Sequence, residues 1–181
     1  MKLFFARHGH TDASANSPID PKSGEIDEPL NPEGVLQAND LAEKLKDTHF
    51  DAIISSPFKR AYQTAEIVNK YHNLPVDIDP IWLERGIGEY TDLETWNNLF
   101  DFDQDFSLEH SEGLRDFFGR VYGAIDELKQ KYADKTVLVV SHGGVHIAVY
   151  AYVNELELTG NVRVSPMRNC EYRVYEVEAL V

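Results

Sequence analysis

Lys2-Leu3-Phe4-Phe5-Ala6-Arg7-His8-Gly9-His10-Thr11 opens the chain with a short apolar run that turns abruptly into charge. The run Leu3–Ala6 has the length of a buried strand, and Gly9 marks the turn that ends it. Arg7 and His8 leave the strand end together, so a guanidinium and an imidazole are set side by side. That pair suits the holding of a phosphoryl group next to a nucleophilic nitrogen. A second run of this kind, Thr136-Val137-Leu138-Val139-Val140-Ser141, is continuously apolar and β-branched, as in a strand buried on both faces. It runs into His142-Gly143-Gly144.

Between the two runs the pattern alternates. Asn31-Pro32-Glu33 is a helix start, a side-chain cap with proline at the first helical position. Val35, Ala38, Leu41, Ala42 and Leu45 then predict an inward face for a helix over about 32–47. Residues 51–55 predict a second buried strand. Ser56-Pro57 reads as another cap-and-proline start, for a helix over about 58–71 with Arg60 in its first turn. A helix N-terminus already favours anions. Residues 76–83 read as extended, with Pro75 and Pro80 excluding a helix, and they deliver Glu84 and Arg85 to a glycine turn. Ser111 reads as the cap of an amphipathic helix to about Tyr132, with Leu114, Phe117, Phe118, Val121, Ile125 and Leu128 on one stripe. A helix to about Val153 follows His142. Residues 161–179 predict one or two further strands, the last at a sheet edge.

Strands alternating with helices predict an α/β fold with helices on both faces of one sheet. In such sheets ligands bind at the C-terminal ends of the strands. Arg7 and His8, Arg60, Glu84 and His142 each follow a different predicted strand, so four distant segments send charged groups to one edge. The chain is expected to form a single domain over residues 1–181. A long loop at 12–30 and a lid-like insertion at 86–110 interrupt it. The insertion mixes aromatic and acidic residues, and it reads equally as an acidic excursion with aromatic feet in the core.

Composition narrows the partners. Lys and Arg number 17 against 31 Asp and Glu, a net charge of −14. This disfavours nucleic acid and anionic membranes as partners. Cys170 is the one cysteine, so no intramolecular disulfide can form and a cytoplasmic location is expected. The N-terminal apolar run is too short and too soon charged for a signal peptide, and no apolar run reaches the ~20 residues of a membrane span.

The set of motifs resembles the histidine phosphatase superfamily, also called the phosphoglycerate mutase-like family. The resemblance rests on Arg7-His8-Gly9-His10-Thr11, Leu30-Asn31-Pro32-Glu33-Gly34 through Gln37-Ala38, and Ser55-Ser56-Pro57-Phe58-Lys59-Arg60-Ala61 with Thr64-Ala65. Leu83-Glu84-Arg85 and Ser141-His142-Gly143-Gly144-Val145 complete it. It implies a three-layer sandwich with a mostly parallel sheet and an antiparallel edge strand. It implies His8 as phosphate acceptor, Arg7, Arg60 and His142 as the phosphate pocket, Glu84 as proton donor, and neither metal nor cofactor. Gly143, Thr11 and His10 join the expected substrate-binding set. The chain departs from the family pattern at His10, where an acidic residue or Gln is frequent, and at Ser14, where Asn is. His10 either touches substrate or lies in the loop.

The expected activity is hydrolysis of a small-molecule phosphomonoester. The 58 positions from Glu84 to His142 leave no room for the longer insertion with which the family's mutases exclude water. A mutase-type phosphotransferase and a non-catalytic phosphate-binding module are the alternatives. A metal site built on His8 and His10, or on His142 and His146, is opposed by Arg7 and Arg60, which would repel a cation. His146, one turn into its helix, reads as a surface or packing residue, and Arg85 and Arg120 as surface or structural residues. The natural substrate and the oligomeric state are left open.

Overall fold

A computed structural model of the chain describes residues 1–12, 27–86, 98–104 and 111–178. Most of the loop 12–30 and of the insertion 86–110, Trp96 included, therefore lies outside the described residues. Five strands form one sheet: β1 (Lys2–Arg7), β2 (Ala52–Ser55), β3 (Val76–Ile78), β4 (Thr136–Ser141) and β5 (Tyr172–Glu176). Their order across the sheet is β3-β2-β4-β1-β5. The first four run parallel, and β5 pairs antiparallel with β1 at the edge. The mostly parallel sheet with an antiparallel edge strand is as expected.

Alternation along the strands explains the layers, because successive side chains point to opposite faces. Phe4 and Ala6 of β1 and Leu138 and Val140 of β4 pack on one side with Ala38, Leu41, Ala42, Ala61, Ala65 and Val68. Those partners belong to helices α1 (Pro32–Leu45) and α2 (Lys59–Asn69). Leu3, Phe5, Val137 and Val139 face the other way, onto α3 (Leu114–Lys131) and α4 (Gly143–Val153). Each fully buried side chain of this size contributes about 1.5–3 kcal/mol. Both faces of β4 are thus covered, which is why its sequence is continuously apolar. No helix among the described residues is long and apolar enough to cross a membrane.

Several local expectations are corrected. Asn31 does cap α1, accepting from the Gly34 N–H at 2.8 Å, but Val35 is 40 % exposed. Gly34 takes part in the inward face instead, since a Cβ there would sit 2.1 Å from the His10 carbonyl oxygen. The turn after β1 lies directly on the start of α1, and no side chain fits between them. Ser56 does not cap α2; Phe58 occupies that position without a side-chain cap bond. Pro80 does not exclude a helix but begins a 3₁₀ turn, Pro80–Trp82, capped by Asp79. Gly113, rather than Ser111, precedes α3. The C-terminal part forms one strand, β5, plus an isolated bridge between Asn161 and Asp101. Of the insertion, Leu99 and Phe100 are buried in the core beside α3, so its described part has apolar feet in the core.

Candidate active site

Sheet register brings the site together. Arg7 lies opposite Ser141, and Ser55 opposite Val140. The backbone ladder continues one residue past the strand ends, with the His8 N–H donating to the Ser141 carbonyl and the Ser56 N–H to the Val140 carbonyl, each at 3.0 Å. The segments after β1, β2 and β4 are therefore adjacent, and they carry Arg7 and His8, Arg60, and His142.

His8 is buried. Its Nδ1 lies 2.8 Å from the Gly9 carbonyl oxygen. A carbonyl can only accept, so Nδ1 carries the ring proton and Nε2 keeps its lone pair. The Arg60 Nε–H donates to that Nε2 at 3.3 Å. Burial pushes the His8 pKa well below the ordinary imidazole range, and the nearby Arg7 and Arg60 charges push it further. The ring is neutral, and the lone pair of its unprotonated nitrogen accepts from a cation.

His142 is fully buried, with its ring centroid 5.2 Å from that of His8. Its pKa is also held well below normal, by burial first and then by Arg60, His8 and Arg7. Nε2 lies 2.8 Å from Ser56 Oγ; Nδ1 is buried and has no hydrogen-bond partner among the described residues. Arg7 donates from one terminal nitrogen to the Met167 carbonyl at 2.7 Å, while its Nε is buried and unpartnered there. Burial lowers the pKa of both Arg7 and Arg60, and Glu84 opposes the fall in each. An arginine still holds its charge under such a shift. Two largely buried guanidinium cations thus stand beside two buried imidazole rings, and charges so buried act more strongly on an anion than they would in water.

Glu84 lies against the start of α4. Its Oε1 accepts from the Arg85 N–H and its Oε2 from the Gly144 N–H, each at 3.0 Å. Gly144 is required here, because a Cβ would stand 2.3 Å from Glu84 Oε1 and 3.0 Å from Phe100. Gly143 lies beside the Arg7 guanidinium. The backbone leading to Glu84 is pinned by Arg120, which donates to the Leu83 carbonyl at 3.1 Å and grips both oxygens of Glu112 at 2.7 Å. Arg85 is buried and donates to the carbonyls of Glu112 and Leu99. Both arginines are structural.

His10 is held by α1 yet lies near enough to His8 to help lower its pKa. Its ring is 3.3 Å from Glu33 Oε2, and its backbone N–H donates to Gln37 Oε1 at 3.0 Å. Thr11 is buried next to it in the chain. Of the two readings of His146, packing holds: it is fully buried, with Nε2 2.7 Å from the Tyr175 hydroxyl. Among the described residues no group of three or more His, Cys, Asp or Glu is placed to hold a metal ion.

Sequence reasoning missed several supports. Thr64 accepts from the Gly9 N–H at 3.1 Å and donates to the Arg60 carbonyl at 2.7 Å, so one hydroxyl ties the two arms of the site. Phe58 lies under the Arg60 guanidinium at 4.6 Å and edge-on to His142. Asn169 donates to the His8 carbonyl at 3.0 Å. Ser56 and Thr64 were visible within the matched motif, whereas nothing local marks Asn169.

A family model described as the histidine phosphatase superfamily, branch 1, matches residues 3–179. The chain belongs to the histidine phosphatase superfamily. An uncharacterized phosphatase, PhoE, of Bacillus subtilis is 33 % identical, over 83 % of this chain and 74 % of its own. Phosphoserine phosphatase 1 of Hydrogenobacter thermophilus is 28 % identical, over 88 % of this chain and 79 % of its own. Among solved structures, mycobacterial hydrolase 1 superposes with a TM-score of 0.83 at 25 % identity, covering 96 % of this chain and 89 % of that one. The superfamily's fold is thus shared over nearly the whole chain.

Proposed function

We propose that this superfamily member is a metal-independent phosphomonoester hydrolase acting through a phosphohistidine on His8. The observation that carries this reading is the Gly9 carbonyl on Nδ1, which leaves Nε2 as a lone pair beside Arg60. Arg60 transfers its Nε–H hydrogen bond from Nε2 to a phosphoryl oxygen, Nε2 attacks phosphorus, a P–N bond forms, and the ester P–O bond breaks. Glu84 gives a proton to the departing oxygen, then takes one from the water that attacks the phosphohistidine, whose P–N bond breaks as the new P–O bond forms. Inorganic phosphate leaves and His8 returns to its starting state. Arg7, Arg60 and His142 hold the equatorial oxygens throughout, which is where phosphoryl transfer needs charge stabilisation. Gly143 lets the backbone approach the phosphate. Thr11 and His10, which follow His8 in the same segment, complete the substrate-binding set.

The substrate class is a small phosphorylated molecule, and phosphoserine, named for one relative, heads the screen. The test is hydrolysis of an aryl phosphate with and without EDTA, in the wild type and in His8→Ala. EDTA-resistant turnover that disappears in the variant supports the reading. Turnover abolished by EDTA contradicts it.

A further inference from the structure

We infer that Ser56 is a positioning residue that fixes the tautomer of His142, so that His142 presents an N–H from Nδ1 to a phosphate oxygen. The inference rests on the phosphate-pocket reading above and deepens it. Ser56 and His142 are both fully buried, and their side chains meet at 2.8 Å across 86 positions of sequence. A neutral imidazole has one N–H and one bare nitrogen, so the direction of that hydrogen bond decides what Nδ1 can do.

The surroundings of the hydroxyl give the direction. Ser56 Oγ accepts weakly from the Phe58 N–H at 3.5 Å, which leaves its own hydrogen to be donated. Given to His142 Nε2, that hydrogen makes Nε2 the acceptor and puts the ring proton on Nδ1. The opposite arrangement would leave Nδ1 as a bare lone pair in the anion pocket, repelling phosphate oxygen. Nδ1 is the atom with no partner among the described residues, while the ring packs against His8 and Phe58. An N–H there lacks an acceptor that a phosphate oxygen supplies. Phe58, not Ser56, takes the cap position of α2. Ser56 is thereby released for His142.

The test uses ¹⁵N-histidine-labelled protein at neutral pH, read by long-range ¹H–¹⁵N correlation, with inorganic phosphate and vanadate as probes. The inference expects His142 protonated on Nδ1 and bare on Nε2 in the wild type. In Ser56→Ala it expects a mixed or reversed tautomer, with phosphate and vanadate bound on the order of 10- to 100-fold more weakly. A wild-type His142 with its proton on Nε2, or an unchanged tautomer in Ser56→Ala, overturns the inference. The wild-type spectrum alone decides the matter should the variant not fold. Should neither probe shift the His8 and His142 signals, the phosphate-pocket reading itself fails. Should both bind while Nε2 is protonated, only the role of Ser56 fails.

Discussion

His142 and His146 stand one turn apart at the start of the same helix, and both are fully buried. Both lose basicity to burial. They differ in what surrounds them. His142 meets Ser56, His8 and Phe58, with Arg60 and Arg7 close enough to be felt. His146 meets Phe5, Tyr150 and the Tyr175 hydroxyl. Burial lowers the basicity of each ring; at His142 the charges of Arg60 and Arg7 act together, whereas at His146 the charge of Arg173 is opposed by Glu171. A buried histidine is therefore not by itself a functional one.

The comparison can be broken by substitution. His8→Ala should have the largest effect, a fall in kcat of at least about 10⁴-fold, because it removes the attacking nitrogen. Turnover above a hundredth of the wild type would remove His8 from the chemistry. Glu84→Gln should cost about 10²- to 10⁴-fold. The loss should shrink for substrates whose leaving groups need no proton, such as nitrophenyl phosphate, and a loss equal for all leaving groups would deny Glu84 the role of acid. Arg60→Ala should cost about 10²- to 10³-fold in kcat/KM by removing charge from the transferring phosphoryl group.

His146→Phe sharpens the contrast from the other side. It should leave kcat within a few-fold of the wild type while changing how stability depends on pH. His146 has its pKa lowered from 6.5 to about 4, so the folded state binds fewer protons than the unfolded chain between those values. That contribution is fully present above about pH 6.5 and is lost as pH falls toward 4, by roughly 3 kcal/mol in all. His8 and His142 act in the same direction. Denaturant melts at pH 7 and pH 5 should show a shallower loss in His146→Phe than in the wild type. An equal loss would mean that His146 titrates alike in both states.

Much of this was legible because the carriers were local. β1 and β4 announced themselves as apolar runs, since both of their faces are covered by helices. The residues after them fell to one edge because parallel strands end on the same side. Val35 was misread because helical spacing alone does not say where the apolar arc stops; the close approach of the His10 carbonyl to Gly34 rotates that arc. Ser56 was misread because serine before proline signals a cap, while its partner stands 86 positions away. Asn169 and Met167 could not be read at all, for they reach His8 and Arg7 only once β5 has paired with β1. Pro80 misled because a single 3₁₀ turn tolerates proline at its start.

The central claim is that His8 Nε2 takes the phosphoryl group. Rapid mixing with a ³²P-labelled phosphomonoester, quenched in base, tests it most directly. The account predicts a base-stable, acid-labile label on the peptide containing His8, formed within one turnover and absent from His8→Ala. A wild type that turns over without carrying any label, or a label that persists in His8→Ala, would contradict it.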